Sequence, residues 1–347
     1  MKDLGLFTQE EYKNQFRINN AVAFATGNNI GIEQNLTTLT RLLAGVQRQK
    51  FYQLNGQSLN DFIPIEVGTG AYARQLTQFA VAQVGDNFET GIVQPGNGIN
   101  KDANVDIVVD TISIRNNFWR MKYQATNEIV RMAQVNQETF SYIEEQERAR
   151  LKTFQLGIQK VAFLGTSDGL NEGLLNLSGV TVNTTLMPAN FATMSTAQLT
   201  NFVTTAMSTY FALTNSTVFP NTMVIPTTDL AGLATYISST YPVGETRKEF
   251  LERAFKAAGA PADFKILHTV YNQTAGTNGG ARYVLYNRDA DTLTMHLSKP
   301  YTPYPLYPVG ALDMISDAEA QFTGVWAKRP QEILYMDIAG STEQQSQ

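Results

Sequence analysis

The chain has no cysteine, so disulfides, thiolate metal sites and cysteine nucleophiles are all excluded. Imidazole is nearly as scarce. His268 and His296 are the only two histidines, far apart in sequence and without a companion ligand pair nearby. Charge is sparse as well: 16% of the 347 residues are charged against 43% apolar, so Asn, Gln, Ser and Thr must supply much of the water-facing surface. That balance suits a surface buried against further copies of the chain, and it also suits a neutral enzyme. The formal net charge of -5 argues against a dedicated nucleic-acid binder, which needs clustered Lys and Arg to displace counterions. No stretch approaches the ~18 apolar residues of a membrane span, and Met1-Lys2-Asp3-Leu4-Gly5-Leu6-Phe7-Thr8 has no apolar signal core. The expectation is a protein folded in a cytosol, with no membrane partner and no cofactor.

What is present is a succession of unlike segments, in a chain long enough for two domains. Residues 1–50 read as an arm: Thr8-Gln9-Glu10-Glu11 is a capping box for a short helix, a polar link follows, and 38–52 is helical again. From 67 to 121 the apolar period becomes two. Leu76, Gln78, Ala80, Ala82 and Val84 alternate with Thr77, Phe79, Val81 and Gln83; Val105, Ile107 and Val109 alternate with Asp106, Val108 and Asp110. Ile112 and Ile114 then switch face, which predicts a bulge. With a turn-rich tip at 91–102, the segment predicts a long two-stranded hairpin, which is marginal in water unless it lies on another surface.

Residues 137–164 predict a long charged helix. Phe140, Ile143, Leu151, Phe154, Ile158 and Val161 form a narrow apolar stripe interrupted at Glu147, while Glu144, Glu145, Arg148, Arg150, Lys152 and Lys160 occupy the other faces. At ~1.5 Å per residue it spans roughly 40 Å, enough to brace several elements or subunits. An α/β region follows. Ser195 caps a helix bearing Leu199, Phe202, Val203, Ala206 and Tyr210; 222–225 is a buried strand, 228–237 a helix, and Thr246-Arg247-Lys248-Glu249 caps another that stops at Gly259. Strands at 264–270, 281–286 and 292–297 complete that unit. The proline-rich run 300–308 predicts an extended connector with its tyrosines packed on the domain, and strands at 318–327 and 332–338 return to a sheet before a polar tail at 339–347.

Signals for catalysis are weak. Gly165-Thr166-Ser167-Asp168-Gly169 matches the G-x-S-x-G nucleophile pattern, but that elbow needs a strand before the serine and a helix after it. Here a charged helix precedes it, so a helix C-terminal turn explains the glycines. Gly68-Thr69-Gly70 and the glycines at 276–280 lack the Lys-Ser/Thr or the third glycine of a phosphate loop. Glu144, Glu145 and Glu147 have nothing apolar to isolate one of them as an acid. The expectation is a protein that is not an enzyme, with no catalytic, cofactor-binding or metal residues.

The order of elements is the strongest signal, together with the run from Phe163-Leu164-Gly165 to Gly173-Leu174-Leu175-Asn176. It resembles the major capsid proteins of tailed phages, the α+β Hong Kong phage capsid fold that encapsulin shells share. The resemblance implies an N-terminal arm at 1–50, a connection at 51–66 and an E-loop hairpin at 67–115. It further implies a peripheral domain at 116–187 with its spine helix at 137–164, an axial domain at 188–299, a return to the peripheral domain at 300–338 and a tail at 339–347. The function implied is an icosahedral shell of hexamers and pentamers around the double-stranded DNA of a bacteriophage. Separate scaffolding, portal and cement proteins are implied partners, DNA is enclosed without sequence-specific binding, and assembly is in the host bacterial cytoplasm. An encapsulin-like nanocompartment holding a protein cargo is the alternative. Glu144, Glu145, Arg148 and Arg150 are candidate intersubunit contacts, with Arg74, Glu89 and Lys101 on the hairpin as complements. Some relatives lock the shell with a Lys-to-Asn isopeptide bond; with Lys101 alone in the hairpin and no Asn after Asn287, a non-covalent shell is expected. Others begin with a charged scaffolding segment, and this sequence opens almost at once on the arm, implying a separate scaffold or a segment already removed.

Overall fold

The computed structural model describes residues 57–85, 104–126, 128, 142–237, 244–310 and 312–338. The expected arm, the hairpin tip, helix residues 137–141 and the tail lie outside these. In chain order the helices are α1 (Leu59–Phe62), α2 (Tyr142–Leu164), α3 (Thr196–Leu213), α4 (Leu230–Leu233) and α5 (Arg247–Ala257). The strands are β1 (Ile65–Val67), β2 (Gln75–Gly85), β3 (Val105–Thr126), β4 (Thr181–Asn183), β5 (Thr222–Pro226), β6 (Lys265–Thr269) and β7 (Arg282–Tyr286). They continue as β8 (Leu293–Leu297), β9 (Lys299–Pro303), β10 (Tyr307–Pro308), β11 (Asp313–Thr323), β12 (Val325–Ala327) and β13 (Ile333–Asp337).

The capping chemistry acts where the sequence places it. Ser195 and Thr246 each accept the backbone N–H three residues on, and Gln198 and Glu249 return the bond. α5 ends before Gly259, whose φ of +112° lies in the region that favours glycine. Against the predicted helix at 228–237, the structure has a 3-10 turn (Thr227–Asp229) and one short turn of α4. Asp229 is buried there, accepting from the Phe191 N–H and the Tyr283 hydroxyl, and that fixes the local backbone.

Three sheets organise the chain. A mixed sheet in the order β4-β13-β7-β5-β6 carries α3 and α5, and Phe202, Tyr210, Met223, Phe255, Tyr283 and Leu334 belong to its core. The last strand, β13, joins this sheet beside β7, so the sheet does not stop at residue 299. Conversely β8, expected to complete the same unit, pairs instead with β1 and β12 in a separate three-stranded sheet. The third sheet runs β10-β11-β3-β2, with β9 also on β11. The predicted strand at 318–327 is two strands, β11 starting earlier at Asp313 and breaking from β12 at Gly324. A Cβ at Gly324 would stand 2.6 Å from the Glu172 carbonyl oxygen, and that carbonyl accepts from the Val325 N–H at 2.8 Å.

The hairpin is present and has no bulge. β2 and β3 pair in one unbroken register from Gln75↔Arg115 to Gly85↔Val105. Apolar residues fall on both faces because neither face is a core face in the chain itself. β3 then continues past 115 into an equally unbroken pairing with β11, from Asn116↔Thr323 to Thr126↔Asp313. One strand of 22 residues thus joins the projecting ribbon to the body of the protein.

Candidate functional site

The Gly165–Gly169 segment is a helix terminus. Gly165 has φ +74° and donates to the Val161 carbonyl at 2.8 Å; Leu174 and Leu175 N–H groups return to the Ala162 and Phe163 carbonyls at 2.8 and 3.0 Å. Asn176 accepts from the Gly173 N–H at 2.6 Å and donates to the Leu164 carbonyl at 3.0 Å. A Cβ on Gly173 would lie 2.4 Å from the Gly165 nitrogen, so the close approach admits no side chain. Gly-Leu-Leu-Asn is therefore a device for satisfying orphan carbonyls at a helix end, with Leu174 and Leu175 plugging the core. Helix α2 precedes Ser167, which leaves no strand-to-helix elbow.

The histidines sit in different sheets. His268 on β6 bonds Gln57 at 2.9 Å, and burial pushes its pKa down. His296 on β8 is also pushed down by burial, with the Glu66 carboxylate 3.3 Å away opposing the shift. Among the described residues no cluster of acids and histidines has metal-ligand geometry.

The seven candidate contact residues divide. Glu89 and Lys101 lie outside the described residues. Arg74 is exposed at the root of the hairpin. On α2, Arg148 pairs with Glu145 at 2.9 Å and Glu144 at 4.0 Å, short-range surface pairs that contribute little by themselves. Arg150 is a correction: it is 3% exposed and turned into the protein. Its guanidinium donates to Tyr301 Oη at 3.0 Å, the Met121 carbonyl at 3.4 Å, the Ser316 carbonyl at 2.8 Å, Ser316 Oγ at 3.1 Å and the Glu147 carboxylate. Those bonds engage all five donors the group has. Glu147, which interrupts the apolar stripe in sequence, also accepts from Tyr301 Oη, so the interruption is a polar bracket between α2, β3, β9 and β11.

Aromatic packing surrounds that bracket. Trp119 of β3, Phe154 of α2 and Tyr301 of β9 have ring centroids 5.2 to 6.1 Å apart. The run 300–308 is not a polyproline-like connector: β9 and β10 pair with β11, Tyr301 packs against the helix as expected, and Tyr304 and Tyr307 are exposed. Sequence reasoning missed the bracket. Its one legible trace is a charged pair, Glu147 and Arg150, placed at the stripe between Ile143 and Phe154.

The hairpin root is equally built. Tyr72, at φ +66°, donates its N–H to Gln321 Oε1 at 2.5 Å and accepts at its hydroxyl from Lys299 Nζ at 2.8 Å. Lys299 also pairs with Glu319, and these bonds hold the ammonium above its usual pKa. Asn116, buried where β11 ends, donates to the Ala73 carbonyl at 2.9 Å and Ser298 Oγ at 3.1 Å. Beyond this root the ribbon exposes Phe79 (72%), Val81 and Val109 on one face, and Val108 and Ile112 on the other. Such a ribbon is an apolar surface without a core, the mark of a binding element.

The model of the major capsid protein family matches residues 101–338. Among solved structures, the capsid of Myoviridae phage XM1 is 15% identical with a TM-score of 0.71, covering 87% of this chain and 98% of its own. The Mycobacterium phage Che8 structure is 11% identical (TM-score 0.56, 87% and 97% covered), and the capsid of a native GTA particle 13% identical (0.55, 86% and 95%). No curated protein matches the sequence. At these identities the structural likeness is one of fold, shared over nearly the whole length of each chain.

Proposed function

The chain belongs to the major capsid protein family, and from that premise we propose how its elements build a shell. It is a structural protein of the tailed-phage capsid, assembles with copies of itself and resides in the virion; it is not an enzyme, and the nanocompartment alternative is not favoured. In our reading the copies form hexamers and pentamers that close an icosahedron around double-stranded DNA in the host bacterial cytoplasm. The DNA is enclosed without sequence-specific contacts, in keeping with the net charge of -5. Separate scaffolding, portal and cement proteins complete the particle.

The observation that carries this reading is the ribbon of β2 and β3, with exposed apolar side chains on both faces and a root locked by Tyr72, Asn116 and Gln321. A ribbon held rigidly away from its own core gains apolar burial by lying on a neighbour, at ~25 cal/mol per Å² covered. Arg74, Glu144, Glu145 and Arg148 are the charged groups we assign to such contacts, alongside Glu89 and Lys101. Negative-stain electron microscopy of the purified protein tests the assignment. Closed particles of uniform diameter are expected; persistent monomers, rings or open tubes would refute it.

A further inference from the structure

β1 is a short clasp between two anchored points. Upstream, α1 is held by Tyr286 Oη, which donates to the Phe62 carbonyl at 2.6 Å, and by Arg288 Nε, which donates to the Asn60 carbonyl at 2.9 Å. Downstream, the hairpin root is held by Asn116 and Gln321. Between them β1 has three residues, paired with β8 as Ile65↔Met295, Glu66↔His296 and Val67↔Leu297. The Met295 N–H donates to the Pro64 carbonyl and the Gly68 N–H to the Leu297 carbonyl, both at 3.0 Å, closing the clasp at either end. Pairing this short is small enough for one buried charge to decide whether it holds.

His296 is placed to carry that charge. Its backbone N–H is fixed to Thr323 Oγ1 at 3.0 Å, its ring centroid lies 6.0 Å from that of Trp326, and the residue is 5% exposed. Neither ring nitrogen has a hydrogen-bond partner among the described residues. The charged groups acting on the ring are Glu66 of β1 and Lys328 beyond β12. Glu66 Oε2 stands 3.3 Å from Nδ1 without the alignment of a hydrogen bond, and the Lys328 ammonium lies over the Trp326 ring. An imidazolium in this place brings two N–H donors and a charge. Nδ1 can turn to Glu66, but Nε2 stays buried without an acceptor. The Glu66 side chain is 42% exposed, so β1 is a thin wall between the ring and solvent, and its departure lets water reach both nitrogens.

We propose that His296 is an acid-operated release for β1: a proton taken up by its imidazole favours the form in which β1 has left β8. The device goes beyond shell building, and its effect is local, giving slack to residues 63–70 between α1 and the hairpin root. The sign follows from linkage. A solvated His titrates near ~6.5, and burial holds the closed form below that value against the pull of Glu66. Above ~6.5 both forms are neutral and closure is at full strength. As pH falls the open form binds the proton first, and the loss is complete once pH has passed below the closed form's value.

Amide exchange of full-length dissociated subunits, corrected for the intrinsic pH dependence of exchange, tests the release. Between about pH 7.5 and about pH 5.5 the protection of the Gly68 and Met295 N–H groups should fall about 3- to 10-fold, the upper limit being set by the solvated imidazole. The Leu174 N–H, at the end of α2, should keep its protection over the same range. His296→Gln should hold the clasp equally closed at both pH values, and His268→Gln should leave the fall in place. The comparison of amides within the parent stands even where His296→Gln fails to fold. Unchanged protection at Gly68 and Met295, an equal fall at Leu174, an equal fall in His296→Gln, or its disappearance in His268→Gln would each overturn the proposal.

Discussion

Asp337 shows how one side chain ties stability to pH. It is fully buried, and burial by itself would raise its pKa, but Arg282 and Thr277 reverse the sign. Arg282 Nε and Nη2 and the Thr277 N–H and Oγ1 all donate to it at 2.8 Å, so its folded pKa is lowered. An unfolded Asp titrates near ~3.9. Above that value both states are ionised and the stabilisation is fully present; it is lost as pH falls through the lowered folded value. Urea unfolding of dissociated subunits should therefore show a loss of stability in acid that is shallower in Asp337→Asn. At neutral pH that variant should be less stable by about 3–5 kcal/mol, because Arg282 is left without its charge partner. Equal acid slopes for the two proteins would refute the assignment. Neither Thr277 nor Arg282 stands near Asp337 in sequence, so this cluster leaves no pattern to read in the primary structure.

At the scale of elements, α2 is held to the sheet by a polar bracket inside an aromatic frame. The sequence shows the helix, its turn at Gly165 and the buried Phe154. It does not show which charged residues turn inward, because a helix face is polar or buried only relative to what packs on it. Arg150 reads as one more surface cation among Glu144, Glu145, Arg148 and Lys152, and its burial comes from the carbonyls of Met121 and Ser316, brought there by β3 and β11. Arg150→Met should destabilise dissociated subunits by about 3–5 kcal/mol in urea unfolding, since Glu147 would stay half-buried without its partner. Tyr301→Phe removes both the acceptor for Arg150 and the donor to Glu147, and should cost about 1–3 kcal/mol. An Arg150 variant as stable as the parent would return this residue to the surface. The hairpin was legible for a simpler reason, since its period of two needs no partner to be recognised. Its supposed bulge was not real: the change of apolar face at Ile112 reflects a ribbon with exposed apolar residues on both faces, and the register runs straight through.

At the scale of the whole molecule, the chain forms a shell of copies with few charges and no thiols. The sequence offers Lys101 as the one lysine in the hairpin and no asparagine beyond Asn287, which leaves no pair for the isopeptide lock of some relatives. Assembled particles boiled in detergent should run as a single monomer band on denaturing electrophoresis. A ladder of covalent multimers would contradict this.

By itself, the sequence determined the chemistry that is excluded, the existence of the hairpin and the long helix, and the caps at Ser195 and Thr246. Each of these depends on residue types or on spacings of a few residues, where local sterics and hydrogen bonding decide. Tertiary structure alone decided that β8 pairs with β1, that β13 closes the sheet of β7, that Arg150 points inward, and that Asp106 and Asp110 take up the Ile107 and Thr111 N–H groups. These features depend on register and on backbone groups supplied from distant parts of the chain, and a strand's pattern records its two faces but not the neighbour at its edge.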